Sequence, residues 1–192
     1  MTNLNQTRTA PAGTLFIDEV FPQTGVAREA LVLLMGSLIV AACAQIEIPL
    51  WPVPVTGQTF GVIVVGALLG SKRGAAAIAA YLMQGALGLP FFAGGAAGYL
   101  HLVGPTGGYL LGFVGAAWLT GWLAERSWNR SFTMRAASMT LGTVVIMLSG
   151  VLWLGTFVPA GNLLSVGVIP FLPGAVLKIA AAALVVGGVR KR

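Results

Sequence analysis

The chain has 192 residues and a formal net charge of +6; 57% of its residues are hydrophobic and only 8% are charged. Its mean hydropathy is +0.89. Since about a quarter of the residues in a soluble domain are charged, this composition excludes a soluble globular protein. It indicates an all-α polytopic membrane protein in a lipid bilayer. The basic residues are too few and too scattered to follow a nucleic-acid backbone, so no nucleic-acid partner is expected.

Apart from Lys178, the basic residues that follow the N-terminal tail occur in alternate connecting segments. They are Arg28, Lys72, Arg73, Arg126, Arg130, Arg135 and the three residues 190–192. The intervening connections, 46–57, 89–106 and 158–169, contain no Lys or Arg. Because short basic loops stay in the cytoplasm, the pattern predicts six transmembrane helices with both termini cytoplasmic. Residues 1–27 are then a cytoplasmic or interfacial tail, and residues 28–192 form one transmembrane domain.

The predicted spans, in chain order, are about 28–45, 60–70, 75–88, 110–124 and 137–157, with a sixth beginning at Pro173. The first contains two small residues four positions apart, Ser37 and Ala41. Small residues at this spacing let helices approach closely in lipid, so they serve either docking to a second protein or packing inside the bundle. The second and third spans are short for a hydrocarbon core of about 30 Å. Joined by a tight inner turn at 72–74, they leave room for a cavity on the outer side.

The first outer connection, residues 46–59, is rich in proline. Three prolines between positions 49 and 54 exclude a helix through its middle, because proline lacks a backbone donor and favours an extended preceding residue. We therefore predict an extended loop. Trp51 is either an interfacial anchor or a lid over a pocket. Glu47 is the only carboxylate on the predicted outer side, and we expect it to be solvated.

The second outer connection, residues 89–109, is rich in glycine and carries no Asp, Glu, Lys or Arg. Irregular backbone at membrane depth is tolerated where it is buried in protein or lines a cavity. The loop therefore either offers its amides to a ligand or is a compact loop whose glycines take positive φ. His101 is the single histidine of the chain, so it predicts no metal site.

Lys178 lies in a stretch that is otherwise apolar from position 166 to 189. A charge near the middle of a bilayer costs roughly 2.5 to 3.5 kcal/mol on insertion scales, so it tends to face a bundle interior or a wet cavity. The alternative is that the side chain extends to the lipid headgroups. We favour a ligand-facing ammonium group, because Lys178 is well inside both ends of the predicted span.

The sequence contains few side chains that could serve catalysis. With one His, one Cys and five carboxylates, no acid–base pair, metal triad or nucleophilic triad is predicted. No nucleotide-binding P-loop is present either. The composition therefore favours binding of a small ligand with an apolar body and a hydrogen-bond acceptor. A structural or assembly subunit of a membrane complex and a membrane enzyme are the alternatives from other classes.

Four segments carry distinctive motifs: AQIEIPLWPVPVTGQT (44–59), GALGLPFFAGG (85–95), GPTGGYLLGF (104–113) and PFLPGAVLK (170–178). Together they resemble the BioY family of biotin transporters. The resemblance covers about residues 28–190 in the same order. It implies an S component, the substrate-binding subunit of an energy-coupling factor (ECF) transporter, with six helices in the prokaryotic cytoplasmic membrane. Biotin would be its transported ligand, without a cofactor. A T component and two ATP-binding subunits would be its partners, and the chain itself would not hydrolyse ATP.

The same resemblance implies roles for individual residues. Ligand contacts are expected from Lys178, Trp51, Thr56, Gln58, Gly94, Gly95 and Tyr99, and docking of the T component from Ser37 and Ala41. One position departs from the family motif Pro-Gly-Asp-x-x-Lys, since Ala175 stands where the acid is usual. Ligand N–H donors left unpaired there would cost about 1 to 3 kcal/mol. Either Gln58, Gln84 or a loop carbonyl replaces the acid, the affinity is lower, or the ligand is a different small carboxylate vitamin.

Overall fold

The computed structural model describes residues 25–189. The predicted tail therefore lies outside the described residues except for its last three positions, as do residues 190–192. Along the described chain the elements are α1 (Val26–Ala44), β1 (Glu47–Ile48), β2 (Val55–Thr56), α2 (Gln58–Leu69), α3 (Ser71–Ala86), α4 (Leu100–Val103), α5 (Gly107–Glu125), α6 (Phe132–Leu154), α7 (Ala160–Gly167) and α8 (Leu172–Val189). Two 3-10 turns, Ala93–Gly95 and Ile169–Phe171, lie in the connections. The all-α prediction is thus confirmed, with one two-strand hairpin as the exception.

Helix α5 is the centre of the bundle and packs against α2, α3 and α6. Its contact with α2 is close because both helices present small groups. A Cβ atom added at Gly66 would lie 2.5 Å from the carbonyl oxygen of Ala117, and one at Gly121 would lie 2.3 Å from the carbonyl carbon of Gly70. In lipid, where apolar side chains gain nothing by leaving the solvent, such close backbone approach is a main source of helix association.

Two apolar cores hold the remaining helices. The larger contains Val40, Tyr81, Phe113, Ile146 and Phe171, contributed by α1, α3, α5, α6 and the second 3-10 turn. The smaller lies between α2, α6 and α8 and includes Ile63, Met139 and Val186. Many large apolar side chains nevertheless point outward, among them Leu148, Leu152, Val176 and Leu184. An apolar exterior over a packed interior suits a chain whose solvent is hydrocarbon.

Four stretches of the described chain are long and apolar enough to cross a membrane, judged by length and composition. They are Val26–Ala44, Gly107–Glu125, Phe132–Leu154 and Ala160–Val189, the last of which combines α7, a 3-10 turn and α8. Helix α2 is a shorter apolar helix of 12 residues. Transmembrane helices of the expected kind are therefore present, while the count of six stays a prediction.

The inner turn between α2 and α3 differs from its prediction. The segment 72–74 was expected to be the turn, but it lies within the first turn of α3, and the chain reverses two positions earlier at Gly70. Gly70 has φ 87°, a conformation that glycine adopts without strain. Glu125 then accepts hydrogen bonds from the Ser71 amide at 2.7 Å and the Ser71 hydroxyl at 2.9 Å. The Glu125 carboxylate therefore accepts from the first backbone N–H group of α3, where a negative charge is favourable, and links α3 to the end of α5.

Candidate functional site

A short hairpin forms one wall of the site. Strands β1 and β2 pair antiparallel, with Glu47 opposite Thr56 and Ile48 opposite Val55. The residues between them form no helix, as the prolines predicted, and the Trp51–Pro52 peptide bond is cis. The hairpin leads directly into α2, so its register positions the first polar side chains of that helix.

A cavity of about 400 Å³ lies beneath this hairpin. Its volume is within the roughly 300–1,000 Å³ typical of small-molecule sites. The walls come from the hairpin, the connection between α3 and α5, and helices α2, α5, α6 and α8. The lining residues are Glu47, Pro52, Val53, Pro54, Thr56, Gln58, Thr59, Ile63, Phe92, Ala93, Ala96, Leu100, His101, Gly104, Pro105, Thr106, Tyr109, Leu110, Phe113, Thr143, Ile146, Met147, Phe171, Ala175 and Lys178. An apolar enclosure with a few polar groups is suited to one small amphipathic molecule.

A chain of hydrogen bonds connects three polar residues of the cavity, Lys178, Thr56 and Gln58. The Lys178 ammonium donates to the Thr56 carbonyl oxygen. The Thr56 hydroxyl donates to Gln58 Oε1 at 2.7 Å, and Gln58 Nε2 donates to the Tyr81 hydroxyl. That hydroxyl in turn donates to the Phe91 carbonyl oxygen at 3.1 Å. The chain links α8, the hairpin, α2, α3 and the second outer connection, so one side of the cavity is held by directed bonds.

The unused hydrogen-bond donors of Lys178 determine what kind of ligand group the cavity can bind. An ammonium group has three donors, and one of those on Lys178 is used by Thr56. The others remain available to an acceptor in the cavity. Ala175 lies one helical turn before Lys178 on the same face of α8, and it also lines the cavity. Helix α8 therefore presents a cation beside a methyl group.

Aromatic side chains close the cavity on the α5 side. The rings of Tyr109 and Phe171 stack with centroids 5.7 Å apart, and the Tyr109 hydroxyl donates to the Gly167 carbonyl oxygen at 2.7 Å. Phe92 and His101 lie in a tilted ring contact at 5.8 Å. These flat apolar faces suit a compact ring system in the ligand.

Of the residues predicted to contact a ligand, the structure brings Thr56, Gln58, Ala175 and Lys178 together around the cavity. The other five lie elsewhere, and their predicted contacts stay predictions. Trp51 and Tyr99 are 89% and 66% exposed. Gln84 is outside the lining, and its Oε1 is buried without a hydrogen-bond partner among the described residues.

Gly94 and Gly95, the remaining two predicted contacts, form part of the first 3-10 turn, with φ of 62° and 75°. The lining includes their neighbours Ala93 and Ala96 but neither glycine. Their positive φ is the second interpretation given for this loop, a compact turn that depends on glycine.

Ser37 and Ala41 lie on the inward face of α1. Ser37 is fully buried, and its hydroxyl donates to the Leu34 carbonyl oxygen of its own helix at 2.8 Å. Ala41 is also buried, and a Cβ added at Gly36, next to Ser37, would lie 2.8 Å from the Cβ of Ala77 on α3. In this arrangement the two residues serve packing within the bundle, the second interpretation given for them. The outward face of α1 instead presents Leu31, Leu34, Met35, Leu38 and Ile39.

Glu47 corrects an expectation. It was predicted to be solvated, yet it is half-buried and lines the cavity. The sequence shows a lone outer carboxylate beside a proline-rich turn, but it does not show the strand register that directs this carboxylate toward the cavity.

His101 was set aside as a metal ligand, and it too lines the cavity, with a buried Nδ1 that has no partner among the described residues. Within residues 25–189 no group of three or more His, Cys, Asp or Glu side chains comes together.

Comparison with known proteins agrees with this architecture. The model of the BioY family matches residues 12–192. The "Biotin transporter BioY" of Thermotoga maritima is 42% identical over 148 residues, which are 77% of this chain and 86% of that protein. The "Probable biotin transporter BioY" of Pyrococcus horikoshii is 35% identical over 159 residues, covering 83% and 94% of the two chains. The "Biotin transporter BioY" of Rhizobium etli is 36% identical over 164 residues, covering 80% and 88%.

A solved structure shares the fold. The crystal structure of the S-component for biotin from an ECF-type ABC transporter superposes with a TM-score of 0.75 at 24% sequence identity. The match covers 88% of this chain and 96% of the other. The fold of this chain is therefore one that a solved structure also adopts.

The hydrogen-bond chain generates a prediction about stability. Replacing Tyr81 by Phe leaves Gln58 Nε2 and the Phe91 carbonyl oxygen without their partner, and an unpaired buried polar group costs about 1 to 3 kcal/mol. We expect the purified Tyr81→Phe variant to unfold at a lower temperature in detergent than the wild type. The matched control is Tyr99→Phe, because the Tyr99 side chain is exposed. Equal melting temperatures for both variants would show that these hydrogen bonds do not stabilise the fold.

Proposed function

Because this chain belongs to the BioY family, we propose that it binds biotin and serves biotin uptake as the S component of an ECF transporter. The observation that carries this proposal is the cavity beneath the hairpin, with the Lys178 ammonium at its polar side. As a member of a transporter family the chain is not an enzyme. A membrane enzyme and an assembly subunit are accordingly set aside.

The chemistry of biotin matches the lining. Biotin has a fused ring system, an aliphatic chain, a ureido carbonyl and a carboxylate. The apolar parts fit walls such as Ile63, Phe113 and Ile146, which together offer contact without directed bonds. Both acceptors of biotin suit a lysine donor, and a hydrogen bond to a charged group contributes about 1.5 to 3 kcal/mol. Lys178 therefore supplies orientation as well as affinity.

The two ends of the bundle support a topology. At one end Ser71 and Glu125 are hydrogen-bonded, and basic residues lie nearby, Lys72 in the first turn of α3 and Arg126 and Arg130 in the connection between α5 and α6. At the other end lie the hairpin, the second outer connection and the cavity, without Lys or Arg in either connection. By the positive-inside rule the first end is cytoplasmic. The six spans are then α1, α2, α3, α5, α6 and α8, both termini are cytoplasmic, and the cavity faces the outside of a prokaryotic cytoplasmic membrane.

Uptake requires partners. We infer from the ECF class that two ATP-binding subunits supply the energy through a membrane-embedded T component. In this account biotin is the cargo, and no cofactor takes part. Helix α1 is the proposed docking helix. Its outward apolar face, Leu31 to Ile39, is available to the T component directly, whereas Ser37 and Ala41 reach a partner only if α1 moves away from α3.

Lys178 provides the test of the binding site. We expect Lys178→Met, which keeps the length of the side chain but removes the donors, to weaken biotin binding by about 10- to 100-fold. Calorimetric titration of the detergent-purified protein with biotin measures the change. Lys72→Met is the control, because Lys72 is exposed at the other end of the bundle. An unchanged affinity in Lys178→Met would mean that Lys178 only secures the hairpin.

The docking helix is tested by site-specific photo-crosslinking in membranes that contain the T component. A photoreactive residue at Leu38 on the outward face of α1 is expected to crosslink to that subunit. The same residue at Leu184, which is exposed on α8, serves as the control. Crosslinks from Leu184 but not from Leu38 would place the partner on another face.

A further inference from the structure

We propose that Glu47 is a specificity-determining residue whose carboxylate accepts hydrogen bonds from the N–H groups of the bound ligand, in place of the acid that Ala175 lacks. The inference rests on the proposed function and names the group that recognises the donor side of biotin. The cavity lacks an acceptor on α8, because the Ala175 methyl group lies beside Lys178 where a carboxylate would accept hydrogen bonds from the ligand N–H groups.

The two glutamines expected to replace the acid are already used or lie elsewhere. Gln58 Oε1 accepts from the Thr56 hydroxyl, and the Thr56 carbonyl oxygen accepts from Lys178. Gln84 is outside the lining. Among the lining residues of the described chain, Glu47 carries the one carboxylate. A ligand with N–H donors therefore finds its strongest acceptor on β1.

The hairpin register brings this carboxylate to the polar side of the cavity. Glu47 is directly opposite Thr56, and side chains at paired positions of antiparallel strands stand on the same face of the ladder. The backbone carbonyl oxygen of Thr56 accepts the hydrogen bond from the Lys178 ammonium. The anionic and cationic groups of the site are thus held by the same strand pair, and within the described residues they form no salt bridge. Both residues line the cavity, so both charged groups face a ligand bound there.

Glu47 is also unpartnered. Its carboxylate makes no hydrogen bond or ion pair among residues 25–189, although the side chain is half-buried. It rests against Gly94, where an added Cβ atom would lie 2.6 Å from Glu47 Oε1. The glycine therefore makes room for the carboxylate. A partly buried charge without a partner is unfavourable unless a donor meets it, and the ureido ring of biotin carries two adjacent N–H donors for two carboxylate oxygens.

The test is biotin titration of the full-length purified chain carrying Glu47→Gln, which preserves shape and removes the charge. We expect binding about 10- to 100-fold weaker than wild type, since a charge-assisted hydrogen bond is replaced by a weaker one. Ile48→Gln is the control, because Ile48 is exposed on the same hairpin and does not line the cavity. In the Glu47→Gln background, Ala175→Asp is expected to recover most of the affinity.

A second ligand separates recognition from a merely structural role. Biotin methylated on a ureido nitrogen lacks one of the two donors. If Glu47 receives those donors, the wild type discriminates strongly between the two ligands and Glu47→Gln discriminates far less. An equal loss of both ligands in Glu47→Gln, or biotin affinity equal to wild type, would overturn the inference. The proposed function fails separately, if the wild type itself shows no saturable biotin binding.

Discussion

The hydrogen bond from the Lys178 ammonium to the Thr56 carbonyl oxygen is the contact on which the site depends. It joins the last helix of the described chain to the hairpin that follows the first. A charge in an apolar helix is expensive in a bilayer, and facing a cavity with a carbonyl partner lowers that cost. The bond also fixes the hairpin, whose register decides which side chains of residues 47–56 face the cavity.

From this contact the polar side of the cavity extends through Thr56, Gln58 and Tyr81 to the second outer connection. The opposite walls are apolar and aromatic. Directed bonds on one side and shape on the other orient a small amphipathic ligand, which is the requirement for high-affinity capture. The site lies at one end of the bundle, between the outer connections and helices α2, α5, α6 and α8, while small residues hold α2 and α5 together toward the other end.

Much of this arrangement is readable from the sequence because it depends on local chemistry. The prolines after α1 predict the extended loop, and Lys178 stands out as a charge in an apolar helix. Glu47 was misjudged because its orientation depends on pairing with Thr56 nine positions away, which composition does not encode. Ser37 and Ala41 show a similar limit: their spacing predicts close packing without specifying the neighbour. The turn at Gly70 was misplaced because the Glu125 carboxylate that starts α3 comes from a distant helix.

In the proposed function, this chain captures biotin by itself, before any energising subunit acts. Calorimetric titration of the purified wild-type protein with biotin measures this capture. We expect saturable binding of one biotin per chain, with an affinity unaffected by the absence of the T component and ATP-binding subunits. Heat changes that do not saturate, or binding that appears only when those subunits are present, would contradict it.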